Sequence, residues 1–235
     1  MSISDSPNLK DTGMQGFCDR LKQGSKKINI HLSDEQISLM AAHANELLLW
    51  NKKINLTAIV DPLAMAEKHF IDAIAVQSFL YREDMNPEGM NKGKRIMDMG
   101  TGGGFPSIPI KILSPAIHFC LVDASRKKVT FLKHVIRTLK LENINAIHSR
   151  VEDLALDDAY TKGFDAVISR GFASLEKFVG LALPLLKPGG MIYALKGKKA
   201  EEEITPVLKS RFEIRIDHYQ LPFEKSDRYM IQLKI

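Results

Sequence analysis

Arg95-Ile-Met-Asp-Met-Gly-Thr-Gly-Gly-Gly-Phe105 is the stretch whose reading decides the fold. A short apolar run carries Asp98 and then meets glycines at 100, 102, 103 and 104. Downstream, Ile117-His-Phe-Cys-Leu-Val-Asp123 reads as a second strand that closes on a carboxylate. Between them Pro106 to Leu113 suits one short helix, with the proline in its first turn because its φ is already helical. Strand, glycine loop, helix, strand and acid form the usual cradle for an adenosine-containing ligand.

The glycine spacing narrows the ligand. A dinucleotide fingerprint would need a third glycine at 105, where the chain has Phe. Gly100, Gly102 and Gly104 instead follow Asp98 in the Asp-x-Gly-x-Gly-x-Gly spacing of methyltransferases. S-adenosylmethionine (SAM) has no pyrophosphate to lay on a helix N-terminus; it has an ammonium and a sulfonium. A carboxylate at Asp98 suits those cations, and glycines let the backbone pass close without a Cβ clash. Asp123 is placed to accept from the two ribose hydroxyls.

The chain has 235 residues, 45% hydrophobic and 26% charged, enough for one sizeable core with an extension. No apolar run approaches the length of a membrane span, and the first residues lack the charged-then-apolar pattern of a signal peptide. Cys18 and Cys120 share no motif, and the seven histidines are scattered, so neither a metal site nor a disulfide is expected. A reducing, cytoplasmic setting follows. The net charge of +5 is weak evidence for a polyanionic partner. Its distribution says more: Arg126, Lys127, Lys128, Lys133, Arg137 and Lys140 crowd one helical segment, as either a solvated or an RNA-facing surface.

Around the cradle the pattern alternates. Ser33 and Gln36 form a capping box ahead of a helix with apolar residues at helical spacing. Asp61-Pro62 starts a second helix running to about Phe79. The polar stretch 81–94, with Pro87, Gly89 and Gly93, reads as a linker. Three parts result: an extension at 1–32, a helical cap and linker at 33–94, and a catalytic domain at 95–235. Strands are expected at 95–99, 117–122, 144–148, 164–169, 190–196, 212–220 and 228–235, with helices at 106–113, 126–140, 174–186 and 199–209. The fold class is thus α/β, a Rossmann-like doubly wound sheet of seven strands closing in an antiparallel C-terminal hairpin.

In such sheets ligands sit at the carboxyl ends of the strands. Glu152 and Asp153, after the third strand, are placed to meet the adenine amino group, although acids there also cap helices. Arg170 ends the fourth strand, where the acceptor usually meets the methyl group, and is a candidate clamp for the SAM carboxylate or an RNA phosphate. That loop lacks the Asn/Asp-Pro-Pro-Tyr/Phe of N-methylation of exocyclic amines and the Pro-Cys nucleophile of cytosine C5 methylation. A ring nitrogen with a free lone pair, such as guanine N7, needs neither, so these absences permit it. His69 and Asp72 lie three apart on one helical face, as an entrance lining or a local helix pair, and His69 is an RNA-binding candidate. Lys196 and Lys198, beyond the fifth strand, are candidates for RNA phosphate contacts.

Several segments together resemble one family. They are Trp50-Asn-Lys-Lys-Ile-Asn-Leu-Thr57, Lys68-His-Phe-Ile-Asp72, Asp98-Met-Gly-Thr-Gly-Gly-Gly-Phe-Pro106, Ser149-Arg-Val-Glu152, Ser169-Arg170 and Ala194-Leu-Lys-Gly197. Over residues 33–235 the chain is similar to the RsmG (GidB) family, which methylates N7 of a guanine in the 530 loop of bacterial 16S rRNA. The resemblance implies SAM contacts at Gly100, Phe105, Val151, Glu152 and Arg170, with Asp123 as the ribose acid. It also implies 16S rRNA, the small ribosomal subunit or its assembly intermediate as partner. Two positions depart from the family: Ser107 replaces a usual Gly, and Gly171 a common Ala. Competing readings are a methyltransferase with another RNA or small-molecule acceptor, an NAD(P)-linked oxidoreductase, and a non-catalytic RNA-binding module.

Overall fold

The computed structural model describes residues 12–80 and 93–235. Residues 1–11 of the expected extension and 81–92 of the expected linker therefore lie outside the described residues. A helix α1 (Thr12–Lys27) precedes the expected cap. In α2 (Asp34–Asn51) the Ser33 hydroxyl accepts from Gln36 N while the Gln36 side chain accepts from Ser33 N, closing the capping box. Asp61 caps α3 (Pro62–Met65), as the Asp-Pro pair dictates. The helix does not then run on regularly. It widens into a π-helical stretch, Ala66–Ile71, before α4 (Asp72–Ala75) and α5 (Gln77–Leu80). Gly24 lets α1 press against this stretch, since a Cβ there would collide with Ile71.

The rest alternates strand and helix: β1 (Arg95–Met99), α6 (Ser107–Leu113), β2 (His118–Asp123), α7 (Arg126–Thr138), β3 (Ile144–His148), α8 (Val151–Leu154) and β4 (Phe164–Arg170). Then come α9 (Leu175–Ala182), β5 (Leu186–Lys196), α10 (Pro206–Arg211), β6 (Glu213–Gln220) and β7 (Asp227–Lys234). The sheet order is β3-β2-β1-β4-β5-β7-β6, parallel except for β7, which runs antiparallel to both neighbours. This is the expected doubly wound seven-stranded sheet with its C-terminal hairpin.

Three local differences have local causes. The helix expected at 199–209 splits into a 3-10 turn at Glu201–Glu203 and α10, because Pro206 disfavours helical geometry in the residue before it and Thr205 caps a fresh start. The helix expected to reach 186 ends at Ala182 and passes into a 3-10 turn holding Pro184. β5 begins earlier than expected, at Leu186, and reaches its register with β4 through a shift that Gly189 makes possible at φ +73°.

One apolar cluster joins α1, α2 and the π-helical stretch to α6, α7 and one face of the sheet; a second fills the other face against α8, α9 and α10. The cap is therefore fused to the sheet by shared core. β1 and β4 are neighbours at the point where the strand order reverses, so a crevice opens beyond Met99 and Arg170.

Candidate functional site

The glycine loop leaves β1 in a left-handed path, with φ +70° at Gly100 and +57° at Gly102. Asp98 lies beneath it, fully buried, and neither of its carboxylate oxygens has a hydrogen-bond partner. The hydroxyls of Thr101 and Ser107 face it closely enough to favour its ionised form, yet none of the three groups completes a well-formed bond. Burial dominates and pushes the Asp98 pKa up to about 7. A buried, unpaired carboxylate costs stability unless a ligand with N–H or O–H donors meets it. Ser107, the departure from the family pattern, is thus a buried neighbour of this acid.

Asp123 stands across the loop at the end of β2. Its Oδ2 accepts from Gly102 N at 3.1 Å and its Oδ1 from Ser125 N at 2.8 Å, which fixes the carboxylate while leaving lone pairs toward the crevice. Gly100 is held close by Phe172, on the loop after β4: a Cβ at 100 would come within 2.6 Å of the ring. Val151 is buried at the start of α8, and Glu152 beside it is exposed. Asp98, Asp123, the glycine loop and Arg170 thus occupy one rim. An orphaned acid, a second anchored acid and a left-handed glycine loop fit a SAM-like ligand bearing an ammonium and vicinal hydroxyls.

Arg170 is the hub of the cap interface. Its Nη1 donates to Lys68 O at 3.1 Å and to Asp72 Oδ2 at 3.3 Å, and its Nη2 donates to His69 Nδ1 at 3.1 Å. Because guanidinium cannot accept, His69 Nδ1 must be the acceptor, and its Nε2–H donates to the Thr57 hydroxyl at 2.7 Å. Thr57 belongs to a loop tied by Asn51, whose Oδ1 accepts from Leu56 N and Thr57 N and whose Nδ2 donates to Thr57 O. On its other side Asp72 accepts from Tyr219 OH at 2.9 Å and lies 3.5 Å from Arg228. The widened π-helical turn brings Lys68 O, His69 and Asp72 onto one guanidinium.

Two expected site residues are placed otherwise. His69, the RNA-binding candidate, offers no cation: it is buried, stacked on Phe105 at 4.7 Å, and its pKa falls to about 3, first through burial and then through Arg170. Its Nδ1 accepts from Arg170 and its Nε2–H goes to Thr57, so both ring nitrogens are engaged. Lys196 is also engaged, donating to Glu203 Oε2 at 2.7 Å and Ala173 O at 2.6 Å. That pair braces the loop after β4, whereas Lys198 is exposed. The Phe105 ring packs between His43 and His69 at 5.0 and 4.7 Å, so its side chain serves the core and leaves only backbone for a ligand.

Sequence reading missed His43, whose Nε2–H donates to Gly103 O at 2.9 Å and holds the loop from below. A histidine on the apolar face of α2 was its one signal. Asn51 and Thr57 lie inside a segment that resembles the family, but their role needs the folded loop. Tyr219 and Phe172 carried no signal. Gly171, the other family departure, sits at φ +67°, where an Ala would be strained. Among the described residues no cluster of side chains could hold a metal ion, and no helix is long and apolar enough to cross a membrane.

Known proteins resemble this chain in sequence and fold. A family model, GidB: rRNA small subunit methyltransferase G, matches residues 36–231. The ribosomal RNA small subunit methyltransferase G of Desulfitobacterium hafniense (strain Y51) is 42% identical over 179 residues, covering 76% of this chain and 70% of the relative. Its namesake from Acinetobacter baumannii (strain SDF) is 38% identical over 221 residues, covering 94% and 99%. A solved precorrin-6y C5,15-methyltransferase from Geobacter metallireducens GS-15 shares the fold with a TM-score of 0.51 at 14% identity, covering 77% of this chain and 90% of that one. A predicted O-methyltransferase from Agrobacterium tumefaciens gives 0.51 at 19%, covering 61% and 74%.

Proposed function

Because the chain belongs to the rRNA small subunit methyltransferase G family, we propose that it moves a methyl group from SAM to N7 of a guanine in the 530 loop of bacterial 16S rRNA. The reading places the reaction in the cytoplasm, on the small ribosomal subunit or its assembly intermediate. The observation that carries the donor site is the buried, unpartnered Asp98 carboxylate beneath a glycine loop that faces Asp123.

When bound, SAM supplies an electrophilic methyl group on a sulfonium. Asp98 and the glycine loop would hold its amino-acid end, Asp123 its ribose, and the start of α8 its adenine. Guanine N7 brings its own lone pair, so no side chain has to remove a proton. What remains for the protein is alignment and exclusion of water. Arg170, Phe172 and the cap residues His69 and Thr57 wall the acceptor side of the rim. Arg170 spends its donors on Lys68 O, His69 and Asp72, so it positions the cap over the crevice and contributes positive charge beside the acceptor path.

The test is transfer of labelled methyl from SAM to 16S rRNA and to small subunits, both from cells lacking this activity, with the labelled base mapped by N7-specific chain cleavage. One labelled guanine in the 530 loop is the expected result. Tight SAM binding with no label in either RNA would overturn the acceptor.

A further inference from the structure

Beside the SAM cradle, on the side away from Arg170, the loop after α2 and the start of α7 enclose a cleft of about 300 Å³. Its walls are Lys53, Ile54, Asn55, Ser125, Lys127 and Lys128. Three lysines come together from two separate parts of the chain, with no acid among the lining residues. Among the described residues none of the three has a carboxylate partner. The first turn of α7 carries no acidic residue, and its N-cap Ser125 makes no side-chain cap bond. Lysines from two segments thus line one cleft with no carboxylate among its walls, a setting whose potential favours an anion.

The cleft is also built into the site. Ser125 N donates to Asp123 Oδ1, so one wall is hydrogen-bonded to the ribose acid. The opposite wall, Lys53 to Asn55, lies in the loop that Asn51 ties, and that loop hands Thr57 to His69 and so to Arg170.

We propose that this cleft seats a backbone phosphate of the substrate RNA and sets the register in which the acceptor base reaches the rim. The inference rests on the RNA-methylating function argued above. Phosphate contacts position a strand without reading its sequence, as point-charge lysines do. The geometry gives the strand two fixed points: a phosphate in the Lys53–Lys127–Lys128 cleft and a base near Arg170, with the methyl donor between them.

The test compares wild type, Lys53→Gln/Lys127→Gln, Lys53→Arg/Lys127→Arg and Lys209→Gln. The last lies on α10, just before β6, at the opposite end of the sheet. Methyl transfer to small subunits is measured across a salt series, and SAM affinity by calorimetry. The Gln pair should raise the KM for RNA about tenfold at low salt and lower the salt slope by about one for each lysine–phosphate pairing removed. SAM affinity should hold in every variant, and the Arg pair and Lys209→Gln should match wild type. An unchanged KM and slope in the Gln pair, with wild type active, sinks this inference alone, as does an equal loss in Lys209→Gln. A wild type that methylates no RNA sinks the functional reading, and the cleft assignment with it.

Discussion

Arg170 donates from Nη2 to the Nδ1 of His69 at 3.1 Å, joining the end of β4 to the π-helical turn of the cap. Both side chains pack on the Phe105 ring, the guanidinium at 5.1 Å and the imidazole at 4.7 Å from its centre. The residue that follows the glycine loop is thereby clamped between the end of β4 and the cap.

Arg170→Ala removes three donated hydrogen bonds but leaves Asp72 paired with Tyr219 and Arg228. The fold should survive with a loss of about 1–3 kcal/mol, typical of a deleted charged hydrogen-bonding group. Turnover should fall at least about tenfold, a barrier increase of ~1.4 kcal/mol or more, because the cap loses its register with the rim. Thermal melts and labelled-methyl assays read the two effects, and unchanged turnover would remove the positioning role.

Asp98→Asn should melt higher than wild type in the ligand-free state and bind SAM more weakly. The substitution removes a buried carboxyl whose pKa is pushed up to about 7. Wild-type affinity for SAM should rise with pH through about 7, because the ammonium is met best by the ionised form. The variant should lose that pH dependence, which calorimetry across pH 6–8 reports.

Acid stability turns on two histidines. His43 is held at about 4 and His69 at about 3 by burial, against an ordinary value near 6.5, so the unfolded chain binds more protons between about 4 and 6.5. Their contribution falls as pH drops through that window. Asp98 acts oppositely, because the folded state holds its proton up to about 7. Two histidines against one carboxyl leave a net loss on acidification of about 1.4 kcal/mol per pH unit. His43→Gln, which can still donate to Gly103 O, removes one histidine and should flatten the melting temperature between about pH 4.5 and 6. A slope equal to wild type would contradict this.

Gly100→Ala places a Cβ 2.6 Å from Phe172 at a residue with φ +70°. The left-handed conformation alone costs an alanine about 1 kcal/mol, and displacement of the ring adds to that. SAM affinity should fall. Phe172→Leu in the same chain should recover part of the loss but not the strain, a coupling that a double-mutant cycle resolves.

Lys196→Met should lower the melting temperature by breaking the Glu203 pair, yet leave the salt dependence of RNA binding as in wild type. Lys198→Glu, at an exposed position, should weaken RNA binding at low salt and flatten its salt slope. The opposite pattern would restore Lys196 as a phosphate contact.

What the sequence determined by itself was whatever local chemistry writes in local residues. The glycine spacing after Asp98, the Ser33–Gln36 box, the Asp61-Pro62 start and the alternation of strand and helix each act within a few positions. Together they specified a doubly wound sheet and the rim at which the candidate acids stand. The hairpin followed because two strands without a helix between them pair antiparallel. Tertiary structure alone decided what depends on distant partners. His69 and Lys196 looked like groups free to meet RNA because a side chain's charge state and availability depend on what packs against it. A buried ring beside a guanidinium is neutral, and an ammonium beside Glu203 is occupied. The same holds for the unpaired Asp98, for His43 beneath the glycine loop and for the meeting of Lys53 with Lys127 and Lys128. Burial and long-range pairing set a group's proton affinity, and neither is written at the residue itself.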